Sequence, residues 1–123
     1  MLVDTSAWIE QLRPNGDPFI RERVETLLIA GDAVWCRLVR LELWNGARGE
    51  TERSVLREMD GELTSLDIGE VAWKRAVELA TLSRKKGITI PATDLLVAAC
   101  AQTNGVGLLH FDSHFDRLDS VIA

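Results

Sequence analysis

Between Gly87 and Asp116 the chain carries no lysine or arginine, yet this stretch holds Asp94 and Asp112 and ends on Asp116. Asp94 opens an apolar run. Its neighbours three and four residues away, Ile90, Pro91, Val97 and Ala98, offer nothing that could neutralise it across a helical turn. Glu42 is in the same situation among Leu38, Val39, Asn45 and Gly46. A fourth carboxylate, Asp4, follows the apolar pair Leu2-Val3 and precedes Thr5-Ser6. Carboxylates crowded together and shielded from water either take up protons or gather a cation. Several at once make an all-oxygen site suited to Mg²⁺ or Mn²⁺.

Each acid also has a plainer reading when taken singly. Asp4 and Asp94 read equally well as helix caps or first-turn acids. Glu42 could pair with a distant arginine, and Asp112 and Asp116 could be solvated loop acids. The joint pattern points to a site, because two aspartates at strand ends and two acids on apolar helices converge at one edge of a sheet. His110 and His114 are four residues apart, which on a helix would suggest a zinc pair. Their segment instead reads as a turn after a strand, with no third nitrogen or sulfur ligand in view. His114 is therefore expected to be a surface or packing residue in front of Phe115.

The elements that must position these groups follow from periodicity and punctuation. Leu2-Val3 reads as a short buried strand, with a helix expected from about Ser6 to Leu12 and a turn at Pro14-Asn15-Gly16. A second helix is expected over Pro18 to Ile29 with Gly31 at its stop, and a buried strand over Ala33 to Cys36. Arg37 to Arg48 and Arg53 to Met59 have helical spacing. Val71 to Lys86 is amphipathic, with Trp73, Ala76, Val77 and Ala80 on one face. Pro91 to Thr103 is apolar nearly all round and reads as a helix buried on most sides, turned by Asn104-Gly105 into a strand over Val106 to Leu109. A last short strand, or a fraying end, is expected over Ser120 to Ala123. Strands separated by helices imply an α/β domain with a mostly parallel central sheet flanked by helices.

The chain's 123 residues suit one domain with a real core. The longest apolar run, Leu95 to Ala101, is far shorter than the roughly 20 residues that cross a bilayer. The opening Met-Leu-Val-Asp has no secretory pattern, so a cytoplasmic protein is expected, with Cys36 and Cys100 as reduced, buried thiols. A formal net charge of −5 argues against a protein that coats nucleic acid by counterion release. A nucleic-acid enzyme of this charge would need local cations. Arg37, Arg40, Arg48, Arg53, Lys85 and Lys86 are candidates for a phosphate track, and equally for solvated helix faces.

These motifs together resemble the PIN domain, and within it the VapC-type ribonuclease toxins of bacterial toxin–antitoxin pairs. Leu2-Val3-Asp4-Thr5-Ser6-Ala7-Trp8-Ile9 is similar to the family's first motif, and Leu41-Glu42-Leu43 with Gly46-Ala47-Arg48 to its second. Ile90-Pro91-Ala92-Thr93-Asp94 through Ala99 resembles the third, and Asp112-Ser113-His114-Phe115 the fourth. One departure is His110, where the family usually carries Thr or Ser two positions before the fourth acid. The resemblance implies a Mg²⁺-dependent endoribonuclease, with Mn²⁺ able to substitute, in which metal-activated water attacks an RNA phosphodiester. Asp4 and Asp94 would hold the first ion, Glu42 and Asp112 would complete the site or hold a second, and Ser6 would orient an acid. Asp116 is a second candidate for the fourth position. A VapB-type antitoxin and a homodimer are the implied partners. Two rivals remain: an inert PIN-like binding module, and a receiver-like phosphoacceptor, which needs a late strand-end lysine that Leu108-Leu109-His110 does not supply.

Overall fold

The computed structural model describes residues 1–122. Its framework is a four-stranded sheet, all parallel, in the order β3-β2-β1-β4. The strands are β1 (Leu2–Val3), β2 (Val34–Cys36), β3 (Thr64–Leu66) and β4 (Leu108–Leu109). The helices are α1 (Thr5–Leu12), α2 (Pro18–Ala30), α3 (Arg37–Asn45), α4 (Glu50–Glu62), α5 (Glu70–Lys85), α6 (Ala92–Thr103) and α7 (Ser113–Ile122). The chain starts at an inner strand, steps outward through β2 and β3, then returns to place β4 on the other side of β1. That reversal makes the β1/β4 boundary a topological switch point, the place where parallel α/β sheets open a crevice beyond their strand ends.

The core forms where the sequence is most apolar. Leu2 and Val3 are fully buried, as are Trp35 and Cys36 nearly or entirely. On α6 every residue from Leu95 to Ala101 is buried, as expected of a helix without a polar face. Two ends are set by local chemistry. Asp17 caps α2 by accepting the Ile20 N–H at 3.0 Å, with Pro18 in the first turn. Gly105, at φ 66°, ends α6 in the left-handed region while Val106 N–H bonds back to Ala101 C=O at 3.0 Å, turning the chain into β4. Cys36 and Cys100 are free and buried, and the Cys100 thiol lies 3.7 Å from Asp67 C=O.

Several expectations need correction. The strand β3 had no signal, because Thr64-Ser65-Leu66 is a short, largely exposed edge strand without alternation. The strand expected over Ser120 to Ala123 is instead the end of helix α7 up to Ile122, with Ala123 outside the described residues. Phe115, Leu118 and Val121, three apart, are the buried stripe that makes it a helix. The helix α4 extends three residues beyond Arg53 to Met59 at either end. On α5 the buried face is Ala72, Leu79 and Ser83, whereas Trp73 and Val77 are exposed at 55% and 66%.

The rotation of α5 makes a testable contrast. Leu79→Ala empties a fully buried position and should cost about 2 to 5 kcal/mol. Val77→Ala, two residues earlier and mostly exposed, should change stability by no more than about 0.5 kcal/mol. Urea denaturation of both variants checks the orientation; a larger loss at Val77 would reverse it.

Candidate active site

The carboxylates singled out by the sequence are carried by three kinds of element. Asp4 follows β1 and caps α1, Glu42 lies on α3, Asp94 is in the first turn of α6, and Asp112 precedes α7 beyond β4. Asp4 is buried, and its backbone N–H donates to Leu109 C=O at 2.9 Å, which ties it to the neighbouring strand. Its Oδ2 accepts from the Ser6 backbone N–H at 3.0 Å and from the Ser6 hydroxyl at 2.6 Å. Ser6 Oγ in turn accepts the Phe111 N–H at 2.9 Å. One serine thus joins the first acid to the loop that carries the fourth.

Glu42 Oε1 accepts the Thr5 hydroxyl at 2.9 Å. Burial pushes the Glu42 carboxyl above its ordinary value, and repulsion from Asp4 and Asp94 adds to this, while the Thr5 hydrogen bond partly offsets it. Burial likewise raises the Asp94 carboxyl, with further repulsion from Asp4 and Asp112 and an opposing hydrogen bond from His114. Hydrogen-bonding side chains link these acids in pairs: Thr5, next to Asp4, donates to Glu42, and the His114 ring lies against both Asp94 and Asp112. No lysine or arginine pairs with any of them among the described residues; the ion pairs of the basic side chains go to Glu10, Glu50, Asp60 and Glu78.

His114 corrects the reading of it as a surface or packing residue. Its Nδ1 lies 2.8 Å from Asp94 Oδ2 and 3.2 Å from Asp112 Oδ1. Asp112 Oδ1 also accepts the His114 backbone N–H at 2.9 Å, so it caps α7 as Asp4 caps α1. The available signal was its place two residues beyond a strand-end aspartate, where the first helical turn folds back onto the cap. Thr5, the partner of Glu42, was also missed; it is adjacent to Asp4 in sequence. His110 fills the position where the family usually has Thr or Ser by a different route, its Nδ1 accepting the Asp112 N–H at 3.3 Å.

Asp116 is not brought to the other acids. Its side chain is 74% exposed and lies 3.8 Å from His110 Nε2, in a separate group with His110 and Asp119. Arg40 is held by Asp60 in two bonds of 2.7 and 3.0 Å. Arg53 pairs with Glu50, and Lys86 donates to Val121 C=O at 3.1 Å. Arg37, Arg48 and Lys85 make no ion pair among the described residues. Arg48 and Glu42 both line a groove of about 290 Å³, together with Ile9, Leu12, Leu43 and Leu56 and the charged Arg13 and Glu52.

The donor set fits a hard divalent cation. Four carboxylates with unneutralised charge converge, two of them displaced toward the protonated form by burial and mutual repulsion, which a cation would relieve.

Comparison with known proteins agrees with this chemistry. Residues 1–121 match the PIN domain. Ribonuclease VapC18 of Mycobacterium tuberculosis is 32% identical over 124 residues, covering 97% of this chain and 87% of its own length. Ribonuclease VapC11 of the same species is 30% identical, covering 94% and 89%. Among solved structures, VapBC-1 of nontypeable Haemophilus influenzae superposes with a TM-score of 0.73 at 21% identity, covering 97% of this chain and 92% of that one. VapBC2 of Rickettsia felis, bound to a DNA fragment from its promoter, gives 0.72 at 20% identity, covering 94% and 90%. With the four-stranded parallel sheet, the acids at its edge and the match over nearly the whole sequence, this chain belongs to the PIN-domain family.

Proposed function

We propose that this single-domain chain is the toxin of a VapBC-type toxin–antitoxin pair, a cytoplasmic endoribonuclease that hydrolyses RNA phosphodiesters with Mg²⁺, for which Mn²⁺ can substitute. The observation that carries the reading is the convergence of Asp4, Glu42, Asp94 and Asp112 with no lysine or arginine paired to them. An inert binding module would have no use for such a charge cluster, since partly buried carboxylates without a lysine or arginine partner cost a fold stability.

Asp4 and Asp94 hold the ion, and Glu42 and Asp112 complete its surroundings or hold a second one. When bound, the metal supplies the Lewis acidity that activates water and offsets charge on the phosphoryl oxygens. Ser6 fixes the Asp4 carboxylate through Oδ2, leaving Oδ1 for the site. Thr5 fixes Glu42 in the same manner. The strand of RNA is held by cations outside the acidic centre, with Arg37 and Arg48 the candidates not engaged in ion pairs, and Arg40 available only by leaving Asp60.

The apolar groove that Glu42 lines suits a segment of a VapB-type antitoxin, whose cationic side chain would reach Glu42. A homodimer is proposed through the exposed apolar residues of α5, Val71, Trp73 and Val77.

Two predictions test the site. In one RNA-cleavage assay with Mg²⁺, Asp4→Asn and Asp94→Asn should abolish activity while the fold is kept, since asparagine can still cap α1 at position 4 and Asp94 makes no cap hydrogen bond in α6. Asp112→Asn should lower activity at least about tenfold, or about 1.4 kcal/mol, and Asp116→Asn by less. Near-normal cleavage by either of the first two, or a greater loss at Asp116, would refute the assignment.

The second concerns pH. Glu42 and Asp94 have folded-state values raised above the ordinary 4.5 and 3.8. The stability they contribute is therefore complete below those values and is lost as pH rises through the raised ones. In chelator, the melting temperature of a Glu42→Gln/Asp94→Asn protein should gain on that of the unaltered protein as pH goes from about 4 to about 7. A gap that narrows over this range would show that the two carboxyls are not raised.

A further inference from the structure

His114 approaches two of the four acids through a single atom. Its Nδ1 lies 2.8 Å from Asp94 Oδ2 and 3.2 Å from Asp112 Oδ1, and all three atoms fall within one sphere of coordination size. An Nδ1–H can point well at only one of two oxygens, and the ring hydrogen bond goes to Asp94, so Nδ1 also meets the Asp112 oxygen without a full hydrogen bond of its own to it. Both distances have another meaning. Around an octahedral ion with bonds of roughly 2.1 Å, adjacent ligand atoms stand about 3.0 Å apart. The two contacts bracket that edge length.

The placement is also built rather than incidental. Asp112 Oδ1 receives the backbone N–H of His114 at 2.9 Å, which fixes the first turn of α7 and with it the direction of the imidazole. Asp94 is fixed independently on α6. The side chain of His114 is one-third exposed, wedged between two carboxylates from two elements.

We infer that His114 is a nitrogen ligand of the metal site, donating Nδ1 alongside Asp94 and Asp112, and that it tilts the site's preference from Mg²⁺ toward Mn²⁺. Mg²⁺ takes oxygen ligands and keeps its waters, whereas first-row transition ions accept imidazole readily. Without metal, the same ring hydrogen-bonds Asp94. The inference rests on the proposed metal site and adds a donor to it.

Pulsed electron paramagnetic resonance with Mn²⁺ alone, without RNA, tests it on the whole chain. The bound ion should show modulation from a directly coordinated imidazole nitrogen, lost in His114→Gln and retained in His110→Gln, the chain's other histidine. Calorimetric titration should show the ratio of Mn²⁺ to Mg²⁺ affinity falling about tenfold in His114→Gln. His114→Asn, with a shorter amide, serves as the second variant. Mn²⁺ that binds without nitrogen modulation, modulation that survives His114→Gln, or an unchanged affinity ratio would overturn the role of His114 while leaving the acidic site standing. Failure of Mn²⁺ and Mg²⁺ to bind at all would overturn the site itself.

Discussion

Mutual repulsion among carboxylates that the fold forbids to separate is the constraint on which this site depends. Asp4 and Asp112 cannot move away because each is the cap of a helix, α1 and α7 respectively. Asp94 and Glu42 cannot because they ride on α6 and α3, whose buried faces are packed into the core. Burial and repulsion displace Glu42 and Asp94 toward their protonated forms, so folding stores an electrostatic cost at one edge of the sheet. Core packing elsewhere offsets that cost. A bound cation would relieve it.

The same residues that hold the site also hold the ends of the fold together. Ser6 Oγ lies between Asp4 Oδ2 and the Phe111 N–H, so the helix start after β1 and the loop after β4 share one hydroxyl. The Asp4 N–H reaches Leu109 C=O across the two strands. Since β1 and β4 flank the point where strand order reverses, the crevice there is furnished by backbone geometry before any functional side chain is placed. His110 fits this frame because its Nδ1 accepts the Asp112 N–H.

Much of this was legible in sequence because the signals were local. The apolar run Leu95 to Ala101 announced a helix buried all round, and the lack of cations from Gly87 to Asp116 announced acids without local neutralisation. What sequence did not reveal depended on contacts between distant segments. The ring of His114 meets Asp94, which lies 20 residues earlier, and nothing in the spacing of Asp112-Ser113-His114 fixes where α6 will be. The edge strand β3 is held by pairing with β2 rather than by its own pattern. On α5 the periodicity identified a helix but not which of two apolar stripes faces inward; Ala72, Leu79 and Ser83 are buried while Trp73 and Val77 are exposed, a choice made by the packing of α5 on α6 rather than by the local pattern.

In the proposed site the four acids are a strained set awaiting a cation. Thermal melting at about pH 7.5, of the unaltered chain and of Asp94→Asn, each in chelator and in millimolar Mg²⁺, tests it most directly. Mg²⁺ should raise the melting temperature of the unaltered chain, Asp94→Asn should melt at the same or a higher temperature than the unaltered chain in chelator, and Mg²⁺ should no longer shift it. No Mg²⁺ effect on the unaltered chain, or a variant that melts lower in chelator, would contradict the claim.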